Sequence, residues 1–229
     1  MDNLIIVGLG KTALHVMEFV RFHRLYNVIG FAVDRAYKTC SEWHDLPVYE
    51  LENLQQQCPE QHYSLFIAVM WNHLNAERKS LYLRCKEMGF HLANLISPTA
   101  IIRGNICGDN CWVHDYAVIQ NNAVIQADTF IMAYSLVGPA VQLGEHCFLA
   151  ARSLVAGGSR VGDQTFIGLS STVFDDTTIG RKCIVGACCA VKRNLPDFTR
   201  CVTASDACVM KQYTEDEVEN KLVSAFNKR

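Results

Sequence analysis

The chain has 229 residues, is 50% hydrophobic and carries a formal net charge of -2, from 21 Lys and Arg against 23 Asp and Glu. That length suits one or two domains with ample apolar content for a core. The balanced charge gives no electrostatic case for nucleic acid or an acidic membrane surface, and no apolar run reaches membrane-spanning length.

Residues 4–7 are a short β-type run, followed at once by Gly8-Leu9-Gly10. Residues 12–22 read as a helix with Ala13, Val16, Met17 and Val20 on one side. Residues 28–33 form a second strand ending in Asp34, and 51–57 suit a short helix. Residues 64–70 form a third strand, continuous and apolar as buried parallel strands are. A helix over 72–88 and a last strand over 91–96 lead to Pro98, which marks a boundary. Strands alternating with helices predict a small parallel sheet of Rossmann type over residues 1–97. Gly8-x-Gly10-x-x-Ala13 is like the dinucleotide fingerprint, whose turn lets a phosphate or ribose approach backbone amides. Asp34 ends the second strand, where an acid can bind ribose hydroxyls. Such a turn serves packing as readily as a ligand. A redox dinucleotide would also need a hydride-accepting substrate domain, so a nucleotide carried by a sugar fits better.

From Ile101 to Val191 one hydrophobic position recurs every six residues, and fifteen of the sixteen are Ile, Leu or Val, with Cys107 the exception. Two residues before each, the side chain is small, apart from Asn105. A period of six is neither helical nor a hairpin rhythm and calls for a repeat architecture. One bulky and one small inward residue per six describe a short strand facing a narrow interior. Gly often follows the aliphatic residue and is expected to supply the positive φ of a tight corner. Three sides make an eighteen-residue coil, and stacked coils make a parallel β-helix over residues 98–200. Trp112, Phe130 and Phe148 point outward and would suit a contact between protomers.

Cys111, Cys147, Cys183 and Cys189 fall on the small inward position, where Cys is a compact filler. Without a Cys-x-x-Cys motif the eleven cysteines read as reduced thiols in a cytoplasmic protein, with no metal expected. In the tail, Thr214-Glu-Asp-Glu217 is a capping-box signature followed by apolar residues at helical spacing, which predicts a helix within residues 201–229.

A small Rossmann-like domain leading into hexapeptide repeats resembles the sugar O- and N-acyltransferases of the sialic-acid O-acetyltransferase and bacillosamine N-acetyltransferase type. The resemblance covers essentially the whole chain. It rests on Leu4-Ile-Ile-Val-Gly-Leu-Gly10, Asn94-Leu-Ile-Ser-Pro-Thr-Ala100, Leu143-Gly-Glu-His-Cys-Phe-Leu149, Val155-Ala-Gly-Gly158 and Asn194-Leu-Pro-Asp197. It implies a left-handed β-helix, a homotrimer, acetyl-CoA or another acyl-CoA as donor, and a nucleotide-linked sugar as acceptor, for surface polysaccharide synthesis. It places the sugar nucleotide at Gly8, Gly10, Asp34 and Asn72. The donor falls at Gly157, Leu169 and Ala187, with Lys192 near the CoA phosphates.

One departure matters. The family's catalytic His aligns with Pro139, the acid after it with Ala140, and a second family His with Phe148. The usual donor-binding Gly-x-Pro-Ala turn is replaced by Thr203-Ala-Ser-Asp-Ala207. Proline takes no proton, so the usual general base does not transfer. His146 and His114 lie on the other two corners of the coil and are the candidates to act as base on a neighbouring subunit; the plain alternative is that both are solvent-facing. A neutral amine needs no base to attack a thioester, which favours N-acylation. Two alternatives stay open, an O-acetyltransferase using His146 or His114 in trans, and a non-catalytic nucleotide-sugar-binding protein.

Overall fold

The computed structural model describes residues 1–58 and 62–203. The expected terminal helix, with its capping box, lies outside the described residues.

The N-terminal part is an α/β unit: β1 (Asn3–Val7), α1 (Lys11–His23), β2 (Asn27–Val33), β3 (Glu42–Trp43), β4 (Leu46–Glu50), α2 (Leu54–Gln57), β5 (Ser64–Ile67) and α3 (Ala76–Glu87). Its sheet runs β3-β4-β2-β1-β5, parallel except for the β3–β4 hairpin. Leu4, Ile5 and Ile6 of the central β1 are fully buried. Gly8 and Gly10 stand at φ 131° and 132°, and a Cβ on Gly8 would meet the Ala68 carbonyl oxygen at 3.3 Å. Glycine is required there to turn the chain from β1 into α1. The buried face of α1 is Ala13, Val16, Met17, Phe19 and Val20.

Three local expectations change. The β3–β4 hairpin was not foreseen; its turn, His44-Asp45, takes φ 49° and 60° with neither Gly nor Asn. Helix α3 starts at Ala76 rather than 72, because His73, Leu74 and Asn75 are all left-handed (φ 46°, 54° and 62°) and cannot join a right-handed helix. The single strand expected over 91–96 divides. Leu92 bridges Leu65, whereas Leu95–Ile96 already pairs with Trp112–Val113 of the repeat region.

From there the chain winds through three stacked parallel sheets that fit a left-handed β-helix. An aromatic face carries Leu95–Ile96, Trp112–Val113, Phe130–Ile131, Phe148–Leu149, Phe166–Ile167, Ile184–Val185 and Arg200–Cys201. An aliphatic face carries Ile101–Ile102, Val118–Ile119, Leu136–Val137, Leu154–Val155, Thr172–Val173 and Ala190–Val191. A polar face carries Asn105–Ile106, Val124–Ile125, Gln142–Leu143, Arg160–Val161 and Thr178–Ile179. The second residue of each strand from Val113 to Val191 points inward and is at most 3% exposed. The small residues two places earlier line the same core, and their hydroxyls bond carbonyls of the winding, as Ser135 Oγ does to Ala150 O at 3.0 Å and Thr165 Oγ1 to Gly180 O at 2.9 Å.

The repeat begins later than its spacing suggests. Val113 pairs with Ile96, Ile119 with Ile102 and Ile125 with Ile106. The first coil is therefore out of step with the eighteen-residue winding, and Ile101 and Cys107 do not fill inward positions; both are exposed. The glycines also act differently from expectation. Positive φ, between 51° and 69°, occurs at every sixth residue from Asn110 to Cys188, three places before the inward aliphatic, and only Gly158 among these is glycine. Gly168 and its counterparts after the aliphatic residue instead admit the next coil. A Cβ on Gly168 would lie 2.6 to 2.7 Å from backbone atoms of Val185, Gly186 and Ala187.

The outward aromatics do not await another protomer. Trp112, Phe130 and Phe148 are 0 to 2% exposed and pack with Phe66, Phe19, Phe31 and Val16 of the α/β unit. Phe66 stacks on Phe130 at 5.7 Å between ring centroids. Each such ring contributes about 1.5–3 kcal/mol by leaving water, which joins the two parts into one packed body. Gly168→Ala is expected to cost about 1–3 kcal/mol through overpacking, read as a lower thermal midpoint. Asn122→Gly, at φ 62°, should leave the midpoint nearly unchanged; equal midpoints for the two variants would contradict this account.

Candidate active site

The three edges of the prism carry different chemistry. The third edge, from polar to aromatic face, presents a column of left-handed residues: Asn110, Asp128, His146 and Gln164, all at most 5% exposed. Each grips the α/β unit or its neighbour in the column. Asn110 Oδ1 accepts from the Ile67 N–H at 2.8 Å. The Gln164 amide donates to Leu74 O at 3.0 Å, holding the left-handed segment before α3. Asp128 pairs with the fully buried Arg78 of α3, whose Nε lies 3.0 Å from Oδ1. Arg78 also donates to the carbonyls of Asp128 and Cys147, and its guanidinium sits 4.0 Å over the Phe130 ring. His146 Nδ1 lies 2.9 Å from Asp128 Oδ2, and its side chain is 1% exposed. His146 is therefore neither solvent-facing nor presented to a neighbouring subunit, because α3 covers it. Sequence reasoning missed Arg78, whose charge is balanced by a residue 50 positions away.

At the carboxyl ends of β1, β2 and β5 lies a crevice of about 670 Å³, lined among others by Gly8, Asp34, Tyr37, Glu77, Ser80 and Arg84. Asp34 is ion-paired with Arg84. Gly10 shapes the turn without lining the crevice, and Asn72 reaches it indirectly, donating to Glu77 at 3.0 Å. Open α/β sheets bind ligands outside the carboxyl ends of their strands, where the strand order reverses. Here that point is between β1 and β5.

Beyond the segment after β5, on the first edge (aromatic to aliphatic), a second pocket of about 320 Å³ is lined among others by His15, Met70, Trp71, His114, Met132 and Leu169. Val69 lines the first pocket and Met70 the second, so this segment separates them. The side chain of His114 is 14% exposed and packs on Phe19 and Trp112 of its own chain, so it too is engaged in cis. Its Nε2 lies 3.3 Å from Nε2 of His15, and its Nδ1 accepts the Asp115 backbone N–H at 2.9 Å. His15 was not anticipated; it stands on the exposed side of α1, where a lone histidine carries no pattern. Behind the pair, His23 Nε2 lies 2.8 Å from Asp115 Oδ1, and Ser97 donates to the same carboxylate. Burial holds the His114 imidazole below its usual range, with His15 and His23 adding to the depression and Asp115 opposing it. Burial raises the Asp115 carboxyl, but the Ser97 hydroxyl, His114, His23 and Thr99 outweigh it and the net shift is downward.

Pro139 occupies the second edge (aliphatic to polar), exposed, with its carbonyl accepting from Gly158 N–H at 2.9 Å. Gly157 and Lys192 share this edge, and Lys192 Nζ lies 5.3 Å from the Phe174 ring. Leu169 and Ala187 lie on the first edge, both exposed. The four donor candidates thus flank the aliphatic face from its two sides. Burial raises the Cys111 and Cys147 thiols to about 12, as expected of inert core fillers.

No protein-family model and no curated protein matches the chain. Solved structures do. A histidine-to-asparagine variant of perosamine N-acetyltransferase from Caulobacter crescentus, in complex with CoA and GDP-perosamine, superposes with a TM-score of 0.77 at 26% identity, over 93% of this chain and 98% of its own. PerB from the same organism, with the same two ligands, gives 0.76 at 27% identity over 89% and 95%. The acetyltransferase domain of PglB from Neisseria gonorrhoeae gives 0.76 at 20% identity over 89% and 97%, a likeness of fold. The chain thus shares the fold of these acetyltransferases, with stacked sheets that fit the left-handed β-helix type. Its structural neighbours include a sugar N-acetyltransferase and an acetyltransferase domain.

Two outcomes follow. Arg78→Met leaves Asp128 buried without its cation and is expected to cost about 3–5 kcal/mol in urea unfolding, part of it regained by adding Asp128→Asn. A loss no larger than that of an exposed substitution would refute the buried pair. The His114 shift sets a pH dependence. Between its depressed folded value and 6.5 the unfolded chain binds the extra proton, so stability rises with pH there and falls on acidification through that window. His114→Asn should flatten this part of the midpoint-versus-pH curve; parallel curves for the two proteins would contradict it.

Proposed function

We propose that the protein is an acyl-CoA-dependent N-acyltransferase, acting on the amine of a nucleotide-linked sugar in surface polysaccharide synthesis in the cytoplasm. The carrying observation is the superposition, over nearly the whole chain, on an N-acetyltransferase holding CoA and GDP-perosamine. In this reading residues 1–97 are a Rossmann-like domain for the nucleotide sugar and 98–200 the donor platform. Gly8 and Asp34 line the nucleotide crevice, with Arg84 as a further cation; Gly10 sets its turn, and Asn72 acts through Glu77.

A homotrimer completes the site. With Trp112, Phe130 and Phe148 buried, the aliphatic face is the part of the prism among the described residues that offers a continuous apolar strip for assembly. Val118, Leu136 and Leu154 are partly exposed there, and the stacked pair Tyr116–Tyr134 flanks them, 54% and 58% exposed. Three prisms turning this face to a common axis bring the first edge of one copy beside the second edge of the next. Leu169 and Ala187 of one copy then border the same groove as Gly157 and Lys192 of its neighbour, a course for the CoA arm. No helix among the described residues is long and apolar enough to cross a membrane.

The test is thiol release from acetyl-CoA in the presence of GDP-perosamine and other nucleotide-linked amino sugars, with hydroxyl analogues as comparison. Release is expected with an amino sugar and not with its hydroxyl counterpart, from a species sedimenting as three chains. Release with hydroxyl acceptors alone, or a monomer of full activity, would defeat the proposal.

A further inference from the structure

We infer that His15 and His114 of one chain are the proton-handling pair of the transfer, His15 accepting the proton of the attacking amine and His114 donating to the oxyanion that forms. The inference rests on the acyl-transfer reading above and adds what takes the place of the base missing at Pro139.

The proposed tautomers follow from the backbone hydrogen bond at His114. A neutral imidazole carries one N–H and one lone pair. The Asp115 backbone N–H points at Nδ1 of His114 at 2.9 Å, nearer than Asp115 Oδ2 at 3.5 Å, so in the proposed pair that nitrogen holds the lone pair and the ring proton sits on Nε2. Nε2 faces Nε2 of His15 at 3.3 Å, so His15 is the acceptor and its own proton is on Nδ1. Both rings are uncharged in this arrangement. A proton delivered to His15 Nε2 turns an acceptor into a donor and frees the His114 N–H for another oxygen.

The surroundings suit this exchange. The two rings border the first-edge pocket, whose other walls, Met70, Trp71, Met132, Phe148 and Leu169 among them, are apolar. Apolar walls disfavour an ammonium and so favour its deprotonation in place. The charged or titratable groups facing His114 are His15 and His23 from α1 and Asp115 beside it. In the trimer the same edge stands across the groove from Pro139 of the next copy, where the base is absent.

The steps balance. The ammonium gives one proton to His15 Nε2, and the neutral amine attacks the thioester carbonyl carbon. The C–N bond forms, the carbonyl oxygen becomes an oxyanion and accepts the His114 Nε2–H. Collapse breaks the C–S bond, the second nitrogen proton goes to the departing thiolate, and His15 returns its proton to water.

The experiment uses the full-length protein with acetyl-CoA and GDP-perosamine, over a pH series, for the wild type and His15→Gln, His15→Ala and His114→Ala. His15→Gln keeps an acceptor for the His114 N–H but cannot be protonated. It should lower kcat/KM about 100-fold, the usual contribution of a positioned base, and remove the acidic limb of the pH profile with CoA binding intact. Wild-type activity with an unchanged profile in His15→Gln and His15→Ala would overturn the pair and leave the acyl-transfer reading standing. Absence of thiol release from the wild type with every acceptor would overturn both. Independently of turnover, ring-nitrogen NMR should find His114 as the Nε2–H tautomer, with its Nε2 signal displaced in His15→Ala; an unmoved signal overturns the pairing.

Discussion

The structure depends on the left-handed residue that recurs at every sixth position of the winding, and above all on the column it builds along the third edge. A non-glycine residue in this conformation costs about 1–2 kcal/mol, least for Asn and Asp, and the expense is recovered where the side chain gains a buried partner. Asn110, Asp128, His146 and Gln164 do so by holding β5, α3 and the turn before it. Beside them the aromatic face supplies the apolar half of the same contact, and Arg78 belongs to both, since it is bonded to Asp128 and lies over Phe130.

This docking decides which pockets form. Helix α1 and the segment after β5 come to rest on the first edge, so His15, Met70 and Trp71 wall a pocket with His114, Met132 and Leu169. The crevice at the sheet's carboxyl end opens on the other side of that segment. A nucleotide seated in the crevice would need to pass only this segment for its sugar to reach the imidazole pair. The pocket that the pair borders is walled largely by apolar side chains, and the aliphatic face keeps Val118, Leu136 and Leu154 partly exposed among the described residues.

Much of this was legible in the residues. The six-residue period announced the winding because each inward aliphatic has one role and one distance to the next. Its first turn was not, because Ile101 and Ile102 are adjacent, as are Ile106 and Cys107, and spacing alone cannot choose between members of such doublets. The glycines misled for a related reason: sequence shows that Gly is needed but not whether for φ or for room, and at Gly168 it is room. The hairpin turn at His44-Asp45 lacks the usual Asn-Gly signal, and the outward aromatics could not declare which partner covers them. His114 was a candidate from its place on a corner. His15 became one only once α1 was seen lying across that corner, a contact between residues 99 positions apart.

The eighteen-residue winding also limits how such a site can change. Each coil lifts the chain by one inter-strand spacing, about 4.8 Å, and each third of a coil turns it to the next edge. Side chains borne by the prism therefore occupy nodes of a fixed grid. A functional group lost from one node can be restored by the prism only at another whole node, too coarse a step for atoms that must meet within hydrogen-bond reach. Helix α1 is placed by a different sheet with its own spacing. A group borrowed from it can settle between the nodes, at a position the prism alone does not offer.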